Sequence, residues 1–127
     1  MNVVDSSGWI EYFVGGPNAG FFEDAIRDMD NLLVPSISVL EVYRYVLRKR
    51  GLDEALAVAA TMRQGRAVSL DGGLTIEAAE IGANLGLPLA DSSNYASALA
   101  HDATLWTQDA DFEGLDQVRY KSKGSAR

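Results

Sequence analysis

Short runs of β-branched, aromatic and aliphatic residues recur along the chain at 2–4, 32–34, 66–70, 104–107 and 117–120. They predict five strands. Between them the apolar positions recur at helical spacing. Ser6 or Ser7 can cap a short helix that runs to Phe13, and Gly15-Gly16-Pro17 breaks it. Further helices are predicted over 19–29, over 36–49 up to Gly51, and over 52–62 with an end at Gly65. Asp71-Gly72-Gly73 leads into a fifth, with Ile76, Ala79 and Ala83 on one face, that closes at Gly86 and Pro88. The sixth is predicted over 91–101, with Tyr95 and Leu99 one turn apart. On a helical wheel of the third, Leu40, Tyr43 and Leu47 form an expected core-facing stripe, with Glu41, Arg44 and Arg48 as a polar stripe beside it.

Strands that alternate with helices, with no two-residue hairpin between neighbours, predict a mostly parallel five-stranded sheet flanked by helices, a three-layer α/β fold. In such folds ligands bind beyond the carboxyl ends of the strands, so the residues just after each strand are the first candidates for chemistry.

Composition narrows the chemistry. The 127 residues support one domain, expected over 1–120, with a basic tail at 121–127 expected to be disordered. The final Gly-Ser-Ala-Arg is set aside. Without cysteine there are no disulfides, thiolate zinc sites or thiol nucleophiles, and the single histidine, His101, is assigned no chemistry. The N-terminus enters a folded pattern at Met1-Asn2-Val3-Val4-Asp5, so no signal peptide is expected. No apolar run approaches the roughly 18 residues of a membrane span, so the protein is expected to be soluble and cytoplasmic. The 18 acids outnumber the 11 Lys and Arg, for a net charge of -7, which argues against a chain that grips nucleic acid by bulk electrostatics.

The acids fall at informative places. Asp5 follows the first strand, Asp109 and Asp111 follow the fourth, and Asp91 follows Pro88-Leu89-Ala90 at a helix start. Each alone reads as an N-cap. Glu41 alone reads as a surface residue paired with Arg44 three positions on, worth a few tenths of a kcal/mol. Together they are carboxylates that one end of a sheet can gather. Clustered anions raise one another's pKa values unless cations neutralise them. Oxygen ligands without His or Cys suit Mg²⁺ or Mn²⁺, one or two ions, which support phosphodiester hydrolysis.

Four segments in order carry a resemblance: Val3-Val4-Asp5-Ser6-Ser7-Gly8-Trp9-Ile10, Val39-Leu40-Glu41-Val42-Tyr43-Arg44, Leu87-Pro88-Leu89-Ala90-Asp91 and Leu105-Trp106-Thr107-Gln108-Asp109-Ala110-Asp111-Phe112. They resemble the PIN-domain ribonucleases, with the VapC-type toxins of bacterial toxin–antitoxin pairs as the nearest group. The resemblance implies a catalytic quartet of Asp5, Glu41, Asp91 and Asp109, with Asp5, Asp91 and Asp109 on the metal. It also implies that Thr107 orients Asp5, that Ser6 fills a polar position after it, that Asp111 is an additional or substitute metal neighbour, and that Asn94 can touch a metal-held water or substrate. Ser92 is a second polar residue whose part is open. The implied activity is endonucleolytic cleavage of RNA by metal-activated water, leaving 5′-phosphate and 3′-hydroxyl ends. Homodimerisation and neutralisation by a cognate antitoxin are implied as partners. Two divalent ions would carry the net charge of -7 to -3, so the acidic balance becomes a requirement for metal.

Arg44 and Arg48, on the stripe with Glu41, are candidate RNA contacts, and Lys49 and Arg50 follow them. Arg119, Lys121, Lys123 and Arg127 make the end basic, a pattern that usually serves solubility. Trp9, Tyr12, Phe13, Phe21 and Phe22 are expected in the core, with a groove for an amphipathic antitoxin helix as the other reading. Tyr45 is expected at the mouth of the site, because it and Tyr43 cannot both face the core. Two other functions fit less well. A receiver-like signalling domain would use Asp71, Thr107 and Lys121, but Asp5 is followed by serines where such domains place a second acid. A catalytically inactive PIN-like binding module would not need all four acids.

Overall fold

A computed structural model describes residues 1–124. The elements in chain order are β1 (Asn2–Val4), α1 (Ser6–Val14), α2 (Ala19–Arg27), β2 (Leu32–Pro35), α3 (Ser36–Arg50), α4 (Leu52–Met62), β3 (Arg66–Val68), α5 (Gly72–Leu85), α6 (Leu89–Ala100), β4 (Thr104–Thr107) and β5 (Val118–Tyr120). Short 3₁₀ turns lie at Met29–Asn31 and Ala110–Phe112. The strands form one sheet in the order β3-β2-β1-β4-β5, and every pairing is parallel. β2 and β3 lie to one side of β1 and β4 and β5 to the other, so the order reverses between β1 and β4. The crevice at such a reversal is where open α/β sheets bind ligands.

Both faces of the sheet are covered, and the strand sequences show why. Side chains alternate across a strand, so adjacent residues enter different cores. Val4, Leu32, Val34 and Trp106 join the cluster formed with α1 to α4, whereas Val3, Leu33 and Leu105 join the cluster formed with α5 and α6. Burial on both sides is what makes these parallel strands read as continuous apolar runs. Trp9 and Phe22 are fully buried, and Tyr12, Phe13 and Phe21 pack against the first cluster, in line with the core reading of these aromatics. Gly8 permits the close approach of α1 and α2: a Cβ there would stand 2.6 Å from the Phe22 ring.

Several expectations are corrected. The buried stripe of α3 is Ser38, Val42 and Val46, while Leu40 is 61% exposed and Leu47 is 39% exposed. On α5 the buried residues are Leu74 and Ala78, and Ile76, Ala79 and Ala83 face solvent. On α3 small or β-branched side chains pack close to the neighbouring elements while Leu40 and Leu47 are turned out, and on α5 Ile76 is turned out while Leu74 enters the core. α2 ends at Arg27, where a 3₁₀ turn replaces its predicted last residues, and β3 ends at Val68. α6 begins at Leu89 directly after Pro88, whose φ of -58° suits the residue leading into a helix. Residues 121 and 122, expected in a disordered tail, are tied to the fold: the Lys121 N–H donates to the Thr107 carbonyl and the Ser122 carbonyl accepts from Asn18. Arg127 lies outside the described residues. Among those described, no helix is long and apolar enough to cross a membrane.

Candidate active site

The reversal point gathers side chains from four elements. Asp5 leaves β1 as the N-cap of α1. Its Oδ1 accepts from the Gly8 N–H at 2.8 Å and from Ser7 Oγ at 3.1 Å, and its Oδ2 accepts from Thr107 Oγ1 at 2.6 Å. Thr107 ends β4, the strand beside β1, and its hydroxyl oxygen also accepts from the Asp109 N–H at 3.0 Å. One threonine therefore fixes the Asp5 carboxylate and the start of the loop that carries Asp109. That loop turns at once: Asp109 Oδ1 accepts from the Asp111 N–H at 2.9 Å and opens the 3₁₀ turn. The N-cap reading thus describes Asp5 and Asp109 without excluding further work for either.

It does not describe Asp91. Pro88 holds the N-cap position, and Asp91 lies within the first turn of α6. There its carboxylate benefits from the free N–H groups at the positive end of the helix. Among the described residues no hydrogen bond reaches that carboxylate. Glu41, on the second turn of α3, accepts a hydrogen bond from Ser6 Oγ rather than forming the expected ion pair with Arg44. The ion pairs among the described residues are Arg27 with Glu23 and Arg50 with Glu54.

Single oxygens of Asp91, Asp109 and Asp111 lie within 4.8 Å of one another. This trio could hold a metal ion. It includes Asp111, expected as an additional neighbour, where Asp5 was expected as a ligand. Asp5 is outside this trio and has three of its roughly four lone-pair sites taken by donors. The electrostatics join all five acids. Partial burial, then the charges of Asp109, Asp5, Glu41 and Asp111, push the Asp91 carboxyl up to about 6. Burial also raises Asp5, with Asp109 adding to it, against the opposing effect of its hydrogen bonds.

Asn94 lies one turn beyond Asp91 on α6. It is fully buried, and its Oδ1 accepts from Ser38 Oγ at 2.9 Å, while its Nδ2 has no partner among the described residues. Ser38 precedes Glu41 by three residues, so this bond braces the helix of Glu41 against the helix of Asp91. Ser92 and Ser93 both donate to the Leu89 carbonyl and are absorbed by α6 itself. Arg44 and Arg48 are exposed and line a depression of about 460 Å³ with Glu41, Tyr45 and Lys49. The receiver arrangement is not assembled: Thr107 binds Asp5, and Asp71 caps α5 by accepting from the Leu74 N–H at the far edge of the sheet.

With strand order, acids and helix starts in place, the match to the PIN domain over residues 3–118 decides the family. The chain belongs to the PIN-domain family. No curated protein matches it. Its fold is similar to that of a toxin–antitoxin complex from Klebsiella pneumoniae, with 18% identity and a TM-score of 0.77 over 94% of this chain and 96% of that one. It is similar to VapC20 of Mycobacterium tuberculosis, a toxin that cleaves the sarcin–ricin loop, with 19% identity and a TM-score of 0.76 over 94% and 99%. The DNA-bound VapBC of Salmonella typhimurium is similar at 14% identity and a TM-score of 0.73 over 96% and 97%. At these identities the likeness is one of fold.

Proposed function

We propose that this PIN-domain protein is a cytoplasmic, Mg²⁺- or Mn²⁺-dependent endoribonuclease that acts as a toxin and is neutralised by a cognate antitoxin. The observation that carries the reading is the convergence of Asp91, Asp109 and Asp111, with Asp5 and Glu41 in the same electrostatic field. The donor set fits such ions: all oxygen, no His or Cys, and a carboxyl raised by unneutralised neighbours. Asp91, Asp109 and Asp111 would hold the metal, with Asp5 as a further ligand through its remaining lone pair. A bound divalent ion neutralises these charges, polarises a phosphodiester oxygen and makes water a better nucleophile.

The chain's own groups supply position. Thr107 orients Asp5 and sets the Asp109 loop, and Ser6 holds Glu41 toward the acids from the start of α1. Asp5, Glu41, Asp91 and Asp109 remain the proposed catalytic quartet. Arg44 and Arg48, unpaired among the described residues, would bind substrate phosphates. A homodimer would cover exposed apolar side chains such as Leu40 and Leu89. A depression lined by Phe13, Val46 and Val58, which shares Tyr45 and Lys49 at its border with the Arg44–Arg48 depression, would take an amphipathic antitoxin segment on its apolar side. The names of the similar structures, a sarcin–ricin-loop-cleaving toxin and a toxin–antitoxin complex, point the same way.

Expression of the chain alone and with the small gene expected upstream tests the toxin part. Growth arrest only without the neighbour is the expected result. Arrest in neither case, with purified protein inert on RNA in Mn²⁺, would remove the reading.

A further inference from the structure

The proposed function leaves open the form in which RNA reaches the acids, and α3 bears on that. Glu41, Tyr45 and Lys49 succeed one another at four-residue intervals on one side of the helix, and Arg44 and Arg48 run beside them. These five residues line the depression of about 460 Å³. It sets three cations against one anion in a chain whose net charge is -7. Among the described residues none of the three cations is committed to an ion pair. From Glu41 to Lys49 the helix rises about 12 Å, so the groove leads away from the acids for a short stretch of nucleotides.

Tyr45 is the discordant member. Val42 and Val46 take the buried stripe, so the Tyr45 ring is left 40% exposed among the cations, with Lys49 Nζ 6.0 Å from its centroid. A ligand suited to this groove is anionic along its length and carries a flat apolar face. In a duplex the base faces are stacked on one another, whereas an unpaired nucleotide offers its face to an aromatic side chain.

Resting on the ribonuclease reading, we propose that Tyr45 is a stacking platform for an unpaired base of the substrate. Arg44, Arg48 and Lys49 hold the adjoining phosphates, so the base seated on Tyr45 is one that is unpaired in the bound substrate. Tyr45 thereby sets specificity without taking part in the chemistry.

The test is fluorescence anisotropy of the full chain in Ca²⁺, with a labelled single-stranded RNA oligonucleotide and with the same strand annealed to its complement. Steady-state cleavage in Mn²⁺ accompanies it. Tyr45→Ala and Tyr45→Leu should weaken single-strand binding roughly five- to 150-fold, and Tyr45→Phe should restore it. Their effect should fall on KM and leave kcat unchanged, as expected for binding shared by ground and transition states. Duplex binding should be weaker and indifferent to residue 45. Single-strand binding unchanged in both Tyr45→Ala and Tyr45→Leu, or a wild type that binds duplex as tightly as single strand, would overturn the proposal. Loss only of binding to an antitoxin-derived peptide would overturn it too, by making the groove a protein surface. Arg44→Ala with Arg48→Ala separates the two levels. A flattened salt dependence in that variant, with no effect at Tyr45, removes the stacking role and leaves the ribonuclease reading. Salt dependence unchanged there, together with no effect at Tyr45, removes the groove as an RNA path, while cleavage by the wild type in Mn²⁺ decides the ribonuclease reading separately.

Discussion

Asp5 and Asp91 bring the same carboxylate to the same crevice, and the surroundings treat them in opposite ways. Asp5 is buried at the end of β1 and receives hydrogen bonds from Thr107, Gly8 and Ser7. Asp91 is half-buried on α6 and, among the described residues, receives none, while partial burial and then four neighbouring acids raise its pKa to about 6. Hydrogen-bond donors within the fold hold Asp5 in place. Asp91 is held by its helix alone, and under the proposed function a bound cation would meet its charge. Under the proposed function Asp5 would serve the framework of the site as well as the metal, and Asp91 the metal alone, and substitution can test that division.

The largest effect is expected at Asp5. Asp5→Ala strands the Thr107 hydroxyl and the Gly8 N–H, each at about 1–3 kcal/mol when buried without a partner, so urea unfolding should show a clear loss of stability along with lost cleavage. Asp91→Asn should also abolish cleavage, yet raise the melting temperature of the metal-free protein at pH 7, because it removes one of several mutually repelling charges. If Asp91→Asn destabilises the chain as Asp5→Ala does, the contrast fails.

The pH dependence follows from the same shift. Asp91 titrates at about 6 when folded and near 3.8 in a model peptide, so between those values the folded chain holds the extra proton. Asp91's contribution to metal-free stability should therefore fall as pH rises from about 4 to about 6 and level off above that. Thermal melts with and without Mn²⁺ should show the metal-induced rise growing over that window, as protons cease to compete.

A smaller effect concerns the brace between the helices. Ser38→Ala or Asn94→Leu alone leaves a buried polar partner behind, at about 1–3 kcal/mol, whereas the double variant should recover most of that loss. Additive losses in the double-mutant cycle would show the bond to be idle. The smallest effect on stability, within about 0.5 kcal/mol, is expected for exposed Arg44→Ala and Arg48→Ala. Together they should lessen the salt slope of single-strand RNA binding by about 1.4.

The same contrast explains what could be read from the chain beforehand. The strands were legible because both-face burial leaves adjacent apolar residues such as Val3-Val4, Leu32-Leu33-Val34 and Leu105-Trp106. The acids were legible because each follows a strand or opens a helix. The buried side of α3 was not, since hydrophobicity favours Leu40 and Leu47 over Ser38, and only the contact with Asn94, 56 residues away, makes a buried serine acceptable. The Ser6 bond to Glu41 spans 35 residues and has no local signature. Asn94 sits at helical spacing from Asp91, but the wheel gives no sign of its bond to Ser38 on another helix. The start of α6 was missed because Pro88-Leu89-Ala90 read as a loop. Placing Asp91 inside the helix rather than at its cap is what leaves its carboxylate without a hydrogen bond.

The most direct measurement is cleavage of end-labelled RNA by wild type and Asp91→Asn, each assayed in Mn²⁺, in Mg²⁺ and in excess chelator. Cleavage by wild type alone, and only with metal, is the predicted result. Cleavage that survives the chelator, or an Asp91→Asn variant that cuts as well as wild type, would contradict the metal-dependent centre assigned to these acids.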